Sequence, residues 1–325
     1  MEQRAASESG YVDVADQRMV ARAHERFAAD RRKAARGGFR GAGGALPNLV
    51  VIGGLKCGTT SLHHYLGLHP EVVMSRPKEL NFFVEELNWG LGTDWYRCHF
   101  DASAPVRGET SPHYTNRPFF QGVAERMAAT LPDDARIVYM VRHPIDRLLS
   151  HYLHNVNGGY EDRPLEEAVA DERSAYVQRG RYAYQLEPYL EAFDRERILI
   201  VGREELARER EATMRKVFDF VGVDTSFSSE HFQREWETGS GKQSGGFRLL
   251  DRAVRLPGLR ALDRNFDRLP ERLRWLVEKV VHDPDKGEAP KPELPPGLRE
   301  RLAAAFRPDV VRLEEIAGRS FGWEL

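Results

Sequence analysis

A short apolar segment that runs directly into a glycine-rich turn constrains the fold more than any other feature of this chain. Residues 48–53 read NLVVIG, a run rich in β-branched side chains that is typical of a buried parallel strand. Glycines follow at once, and a helix is predicted from about residue 59 to residue 68. Backbone N–H groups of such a turn and of the first helical turn can point at one anion, so this segment predicts an anion site.

The same sequence of apolar strand and amphipathic helix recurs along the chain. Residues 136–142 (RIVYMVR) and 197–201 (RILIV) are two further predicted buried strands. Helical patterns separate the strands, at residues 118–130, 184–193 and 210–221. This alternation predicts an α/β fold with a parallel sheet covered by helices on both faces. Residues 239–325 predict a helical C-terminal region with a Pro-rich break at residues 290–296.

The first 46 residues differ in character from the rest. Residues 14–36 are rich in Ala, Arg and Glu at loosely helical spacing, and five glycines between residues 37 and 44 then break any helix. We interpret residues 1–46 as an N-terminal helical and flexible extension, with a partner-binding helix as the alternative. Residues 47–325 are the predicted main domain.

Charge and cysteine usage limit the possible partners. The net charge of −2 gives no overall attraction to nucleic acid or to anionic membranes, so any anion site must be local. Cys57 and Cys98, the only two cysteines, lack metal-ligand spacing and suggest a reducing compartment. We see no signal peptide and no apolar run approaching about 18 residues, and we therefore expect a cytoplasmic protein without a membrane span.

The glycine-rich loop, residues 53–61 (GGLKCGTTS), carries the first candidate chemistry. Lys56 adds a full positive charge, and Thr59, Thr60 and Ser61 add hydroxyl donors. A Walker A loop requires Lys directly before the Ser or Thr, but Thr59 occupies that position here. The displaced lysine argues against ATP or GTP bound with magnesium, and it favours a shorter, metal-free anion such as a phosphosulfate.

A second candidate anion site follows the strand at residues 136–142. Arg142 ends that strand, and Pro144 is well placed to open the next helix because it lacks an N–H group that would have no partner there. Ser150 lies eight residues after Arg142, on the predicted helix. A guanidinium and a hydroxyl that converge from a strand end and a helix form a compact phosphate clamp. His143 is interpreted as a turn residue and Arg147 as a surface charge.

Both segments resemble the phosphosulfate-dependent sulfotransferases, and especially the branch of glycan (heparan sulfate) sulfotransferases and their bacterial relatives. The resemblance covers roughly residues 48–325 and implies a three-layer, P-loop NTPase-like fold with a central parallel sheet flanked by helices. It implies that Arg142 and Ser150 bind the 3'-phosphate of 3'-phosphoadenosine 5'-phosphosulfate (PAPS). It also implies that the loop binds the 5'-phosphosulfate, through Gly54, Lys56, Cys57, Gly58, Thr59, Thr60 and Ser61.

Residues 76–83 (RPKELNFF) place a Lys–Glu pair directly before two phenylalanines. A strand edge with a surface ion pair is one interpretation. The segment also resembles the family's glutamate motif, in which the Glu three residues before paired aromatics is the catalytic base, here Glu79. Many relatives carry His two residues later, where this chain has Asn81. We expect Phe82 and Phe83 to desolvate the carboxylate and to raise its pKa.

Residues 108–114 (GETSPHY) resemble a family element that lines the active site. His113 is the rival candidate for the base, because soluble aryl and steroid sulfotransferases use histidine. Thr110 stands where several glycan-modifying relatives carry lysine. Lys56 is the expected stabiliser of charge on the leaving group, so the candidate catalytic set is Lys56, Glu79 and His113.

Two further segments complete the resemblance. Residues 180–186 (GRYAYQL) match a family helix, which implies that Tyr182 and Gln185 line the acceptor cleft, although helix packing explains the aromatic side chain equally well. Lys242 and Arg248 lie in a polar loop of the kind that family members close over the nucleotide 3'-phosphate.

The sequence thus predicts an enzyme that transfers a sulfuryl group from PAPS to an acceptor hydroxyl or amine by in-line displacement, with a glutamate general base. A P-loop-type phosphotransferase and a non-catalytic nucleotide-binding module are the alternatives. The expected partners are PAPS, with its product 3'-phosphoadenosine 5'-phosphate (PAP), and a small-molecule, lipid or glycan acceptor. We expect no metal, no nucleic acid and a possible homo-oligomer.

Overall fold

Five parallel strands form the centre of the structure, a computed structural model that describes residues 20–21, 23–41, 43–233 and 294–325. The strands are β1 (Leu49–Gly53), β2 (Val72–Met74), β3 (Val106–Thr110), β4 (Arg136–Val141) and β5 (Ile198–Gly202). Their order in the sheet is β2-β3-β1-β4-β5. Every residue of β1 is buried, as expected for the middle strand of a parallel sheet covered on both faces.

The helices alternate with the strands. They are α1 (Ala28–Ala34), α2 (Thr59–Leu66), α3 (Thr93–Arg97), α4 (Val123–Thr130), α5 (Pro144–Gly158), α6 (Leu165–Ala168), α7 (Ala175–Gln178), α8 (Tyr182–Ala192), α9 (Arg203–Arg208), α10 (Arg210–Val221) and α11 (Pro296–Ala317). Short 3₁₀ helices lie at Trp89–Leu91, Pro112–Tyr114, Arg195–Arg197 and Glu230–Gln233. The predicted α/β fold with a P-loop-like parallel sheet, flanking helices and a helical C-terminus is confirmed.

The strand order locates the place where a ligand can bind. The chain moves from β1 to one side of the sheet for β2 and β3, and to the other side for β4 and β5. In open parallel sheets, ligands bind at the carboxyl ends of the strands at such a switch point. In register, Val51 of β1 pairs with Thr110 of β3, and Gly53 pairs with Met140 of β4. The segments that follow β1, β3 and β4 therefore meet at one edge.

The sequence patterns did not predict two of the five strands. β2 has only three residues, and β3 (VRGET) mixes Arg, Gly and Glu with one valine. The three strands rich in β-branched residues were predicted to within one residue at each end. Length and apolar content therefore decided which strands the sequence revealed.

The described part of the N-terminal segment packs against the main domain. The side chain of Phe27 is 4% exposed, and its ring lies edge-on to Trp95 with centroids 5.5 Å apart. Asp30 accepts a hydrogen bond from the Trp95 indole at 3.1 Å, and Arg26 donates to the carbonyl oxygen of Lys78 at 2.9 Å. Burial of one aromatic side chain therefore fixes this segment beside the loop that carries Glu79.

The C-terminal helix α11 begins at Pro296, within the predicted Pro-rich break, and packs against α8. The carboxylate of Asp309 accepts hydrogen bonds from the backbone N–H groups of Ala183 (3.0 Å) and Tyr184 (2.9 Å), at the start of α8. This contact satisfies donors that a helix N-terminus leaves without partners. Within the described ranges, no helix has the length and apolar character needed to cross a membrane.

Candidate active site

The glycine-rich loop adopts backbone conformations that explain its composition. Gly53 and Gly58 have positive φ angles of 147° and 84°. A Cβ atom at Gly53 would lie 2.4 Å from the Met140 carbonyl oxygen, so only glycine fits there. Gly58 immediately precedes α2, whose first-turn N–H groups have no partners within the helix and are suited to bind an anion. Lys56 also has a positive φ, 75°, which is uncommon for a residue with a side chain.

The side chains of the loop divide into buried and accessible groups. Thr59 and Ser61 are 4% and 8% exposed, whereas Lys56 and Thr60 are half-buried. The Cys57 side chain is fully buried, with Sγ 3.6 Å from the Tyr182 hydroxyl. Burial raises the pKa of this thiol to about 11, so it stays protonated. Only the backbone of Cys57 is available to a phosphosulfate, and the binding role of the loop stays a prediction.

Arg142 joins the second anion segment to the first. Its side chain is 5% exposed, and its guanidinium donates to the carbonyl oxygen of Lys56 at 3.1 Å. Its Nε atom is buried and has no hydrogen-bond partner among the described residues. A buried guanidinium nitrogen without a partner is costly, and an anion is the natural group to satisfy it. Arg142 is therefore a buried part of the site, and the surface interpretation of such a strand-end arginine does not apply.

The helix that follows Arg142 corrects one expectation and supports another. Arg147 was expected on the surface, but it is fully buried and donates to the carbonyl oxygen of Tyr176. It lies on the inner face of α5, where a Cβ atom at Gly54 would come 3.2 Å from its Cδ. His143 caps α5 by accepting a hydrogen bond from the backbone N–H of Asp146 at 3.4 Å, as a turn residue should. Ser150 is half-buried on α5, and its phosphate contact stays a prediction.

Glu79 lies at the carboxyl end of β3, on the same sheet edge as the glycine-rich loop. Its backbone N–H donates to the Thr110 carbonyl oxygen at 3.0 Å, and its carboxylate accepts from the Lys78 ammonium at 2.7 Å. The Glu79 side chain is 31% exposed. His63, on the helix that follows the glycine-rich loop, bonds the Thr110 hydroxyl at 3.0 Å and so links α2 to the end of β3. The carboxylate is thus accessible and held near the loop.

The pKa of Glu79 moves in the opposite direction to the one expected from its aromatic neighbours. Burial acts to raise it, but the Lys78 ammonium and His113 lower it, and the net pKa is about 2. Phe82 and Phe83 pack mainly on other aromatic rings; the Phe82 ring stacks on Tyr96 with centroids 4.2 Å apart. The expected desolvation by these rings is therefore outweighed by a lysine directly before the glutamate.

His113, the rival base, is buried and close enough to Glu79 for each to affect the pKa of the other. Burial and the nearby Arg179 guanidinium lower the pKa of His113 to about 3, so its ring is neutral at neutral pH. Its side chain is 5% exposed, and Nδ1 has no hydrogen-bond partner among the described residues. The geometry therefore places both candidates for the base in one region, and the choice between them stays a prediction.

The two residues assigned to the acceptor cleft have internal partners. Tyr182 is fully buried and its hydroxyl donates to the Arg142 carbonyl oxygen at 2.7 Å. The Gln185 amide bonds both the N–H and the carbonyl oxygen of Arg117, each at 2.8 Å. These contacts give both side chains a packing role, and acceptor binding by them stays a prediction. Lys242 and Arg248 lie outside the described residues.

Sequence reasoning missed the groups that hold this site together. Lys78 was seen only as half of a charged pair, although it sets the pKa of Glu79. Glu109 was quoted without a role, yet it is fully buried and bonded to three hydroxyl groups. The one signal for Glu109 was its place in residues 108–114, the segment that resembles a family element lining the active site. Nothing in the sequence indicated that Arg147 and Arg179 are buried beside Gly54.

The residues present fit a nucleotide phosphosulfate. Lys56 carries positive charge in the glycine-rich loop, the first-turn N–H groups of α2 follow it, and the buried Nε of Arg142 has no partner among the described residues. No group of three or more His, Cys, Asp or Glu side chains in the described part of the chain could hold a metal ion.

Comparisons with known proteins identify the family of this chain. A profile of the sulfotransferase domain matches residues 46–248. A mouse heparan sulfate glucosamine 3-O-sulfotransferase 3B1 is 26% identical over 295 residues, which cover 88% of this chain and 67% of that protein. A bifunctional heparan sulfate N-deacetylase/N-sulfotransferase 1 of Caenorhabditis elegans is 28% identical over 257 residues, which cover 73% of this chain but only 28% of that protein.

A solved structure extends the agreement to the fold. The crystal structure of a sulfotransferase from Alicyclobacillus acidocaldarius superposes with a TM-score of 0.59 at 27% identity. The match covers 85% of this chain and 98% of that chain. Since the sulfotransferase profile alone covers more than half of the 325 residues, this chain belongs to the sulfotransferase family.

Proposed function

We propose that this chain transfers a sulfuryl group from PAPS to an acceptor hydroxyl or amine. Membership of the family supports sulfotransferase activity in general. The observation that carries the specific proposal is the junction at the sheet edge, where Arg142 bonds the Lys56 carbonyl oxygen and Glu79 bonds Thr110 on the neighbouring side of β1. An anion-binding loop and an accessible carboxylate on adjacent strand ends suit transfer of an anionic group to a nucleophile that must lose a proton.

The proposed roles of the side chains combine their positions with the family resemblance. PAPS supplies the activated sulfuryl group when bound. Lys56 and the N–H groups at the start of α2 stabilise negative charge that develops at the donor side, while Arg142, with Ser150, binds the 3'-phosphate. The ionised carboxylate of Glu79 accepts the proton of the attacking hydroxyl or amine. A pKa of about 2 keeps Glu79 ionised throughout the neutral range, so it is always in its basic form there.

The acceptor is proposed to be a small molecule, a lipid or a glycan. The mouse and worm relatives are named for heparan sulfate, so heparan sulfate oligosaccharides, with and without free glucosamine amines, head the list of acceptors to test. Thr110, which stands in place of the lysine of several glycan-modifying relatives, bonds His63 instead. Because of this difference, 4-nitrophenol and simple lipid alcohols should be tested as acceptors beside the oligosaccharides. A cytoplasmic location and a homo-oligomer stay predictions.

Transfer of ³⁵S from labelled PAPS to this panel of acceptors tests the proposal directly. Replacement of Glu79 by Gln keeps the shape of the side chain and removes the base, so kcat should fall by roughly 10²–10⁴ while nucleotide affinity is retained. His113→Ala is the matched variant at the rival base. Loss of transfer in His113→Ala with near-normal transfer in Glu79→Gln would reverse the assignment.

The same assay separates the competing functions. A P-loop phosphotransferase would require magnesium and ATP, and a non-catalytic module would bind PAP without transferring label to any acceptor. We expect label transfer from PAPS in the presence of a chelator and none from γ-labelled ATP with magnesium. Calorimetric titration with PAP then measures the nucleotide site independently of the acceptor.

A further inference from the structure

We propose that Glu109 is a positioning residue that holds the Glu79 loop in its working conformation through Ser111 and Tyr114. The inference rests on the proposed role of Glu79 as the base. Glu109 touches neither the glycine-rich loop nor Glu79 in the described contacts, and its influence passes through two hydroxyl groups that bond the backbone directly after Glu79.

Glu109 is the centre of a buried hydrogen-bond cluster at the end of β3. Its side chain is fully buried. One carboxylate oxygen accepts from the Tyr96 hydroxyl at 2.5 Å and from the Tyr114 hydroxyl at 2.6 Å, and the other accepts from the Ser111 hydroxyl at 2.8 Å. Burial raises the pKa of this carboxyl, while the three hydroxyl donors act to lower it. Each of these three hydroxyl groups donates its proton to Glu109.

Because these hydroxyl groups donate their protons to Glu109, the direction of their other hydrogen bonds is fixed. A hydroxyl has one proton and two lone pairs, so a hydroxyl that donates to Glu109 can only accept from its other neighbours. The Ser111 oxygen accepts from the Asn81 backbone N–H at 3.0 Å, and the Tyr114 oxygen accepts from the Phe82 backbone N–H at 2.9 Å. The carboxylate thus orients two acceptors towards the two peptide groups that immediately follow the base and its neighbour Leu80.

The backbone of this loop needs such support. Glu79 and Asn81 have φ angles of 63° and 49°, in the left-handed region that side chains disfavour. Strained residues of this kind persist only where surrounding contacts over-determine them. The bond from the Glu79 N–H to Thr110 fixes one end of the strained stretch, and the bonds to Ser111 and Tyr114 fix the other.

Tyr96 provides a matched control within the same cluster. Its hydroxyl donates to Glu109 just as that of Tyr114 does, and it lies in α3 with no bond to the Glu79 loop in the described contacts. Tyr96→Phe and Tyr114→Phe therefore each remove one donor to the same buried oxygen. Only Tyr114→Phe also leaves the Phe82 N–H without its acceptor. A difference in kcat between the two variants therefore reports the effect of the loop on the base.

The experiment compares Glu109→Gln, Tyr114→Phe, Tyr96→Phe and Glu79→Gln in the full chain, with labelled PAPS and the acceptor of the panel that gives the highest turnover, and kcat should fall in Glu109→Gln as it does in Tyr114→Phe. We expect kcat to fall by up to about 100-fold in Tyr114→Phe, since a catalytic group displaced by about 1 Å can cost that much. PAP affinity should be unchanged, and Tyr96→Phe should retain kcat at a similar melting temperature. Amide hydrogen exchange at Phe82 should accelerate in Tyr114→Phe but not in Tyr96→Phe.

The double variant makes the test specific for the base. If Tyr114 acts through Glu79, adding Tyr114→Phe to Glu79→Gln should produce no further loss of kcat. Equal losses in Tyr96→Phe and Tyr114→Phe, or fully additive losses in the double variant, would overturn the inference and leave a merely structural cluster. Normal turnover in Glu79→Gln would instead refute the proposed base, and the exchange rate at Phe82 would still report whether Tyr114 holds the loop.

Discussion

Replacement of Lys78 by Gln should give kcat an acid limb that the unchanged enzyme lacks. The Lys78 ammonium lies 2.7 Å from the Glu79 carboxylate, and both side chains are only partly exposed, 18% and 31%. Burial acts to raise the pKa of Glu79, and Lys78 is the largest of the opposing effects that bring it to about 2. Removing the ammonium therefore leaves the effect of burial less opposed.

The size of the change follows from that balance. A neighbouring opposite charge lowers a carboxyl pKa by about 1–3 units, so Lys78→Gln should bring the pKa of Glu79 to between about 3 and 5. With Glu79 as the base, kcat should then decline on the acid side with a midpoint in that range. The unchanged enzyme should keep a level profile down to the pH at which it unfolds, because its pKa of about 2 lies lower still.

The same shift should appear in stability. The folded pKa of Glu79 is lower than its ordinary value of 4.5, so the carboxylate stabilises the fold above about pH 4.5, and this contribution is lost as the pH falls towards 2. In Lys78→Gln the contribution should be smaller. Urea unfolding at pH 7 and at pH 4 should therefore show a smaller acid-dependent loss in the variant.

The assay is ³⁵S transfer from labelled PAPS from pH 8 down to the lowest pH at which the enzyme stays folded, with PAP affinity measured in parallel. Lys78→Arg is the matched control, since it retains the charge and should retain the level profile. Glu79→Gln should have a low rate without the acid limb. A level profile in Lys78→Gln, or an acid limb of the same midpoint in Lys78→Arg, would refute the argument that this ion pair sets the state of the base.

Three further substitutions test the nucleotide half of the site. Lys56→Ala should retain the fold, measured by circular dichroism, and reduce kcat by about 10²–10³, the usual cost of losing one donor to developing charge; near-normal turnover would exclude it from that role. Arg142→Ala and Ser150→Ala should raise the KM for PAPS with little change in kcat, because a 3'-phosphate contact is equally strong before and during the reaction. Calorimetry with PAP and with adenosine 5'-phosphate checks this, and equal affinity of the unmodified enzyme for the two would count against the clamp.

The sequence predicted those parts of the fold that depend on local pattern. The runs NLVVIG, RIVYMVR and RILIV correspond to β1, β4 and β5, because β-branched residues in a short run bounded by turns have few other uses. Helix α10 was predicted with its observed bounds, Arg210–Val221. β3 was missed because its sequence serves a cluster of side chains at its carboxyl end and leaves little room for an apolar pattern.

The candidate site was predictable where its chemistry lies within one segment. Glycines, Lys56 and a helix start are contiguous, so an anion site followed from the sequence alone. Arg142 was identified by its place at a strand end, but its burial, and its bond to the Lys56 carbonyl oxygen, depend on packing across 86 residues of sequence. The burial of Arg147 follows from the tertiary packing of the inner face of α5, and the helical pattern alone did not show it.

The pKa of Glu79 shows why local composition misled. Two phenylalanines follow within four residues, and composition alone predicts an apolar pocket that raises the pKa. The positive φ angles of Glu79 and Asn81 turn the chain so that the rings enter a cluster with Tyr96 while the carboxylate meets the ammonium of its neighbour. Backbone conformation therefore determines which neighbouring groups affect the pKa of Glu79. If Glu109 sets that conformation, a residue outside the reacting groups determines whether the base is paired with Lys78.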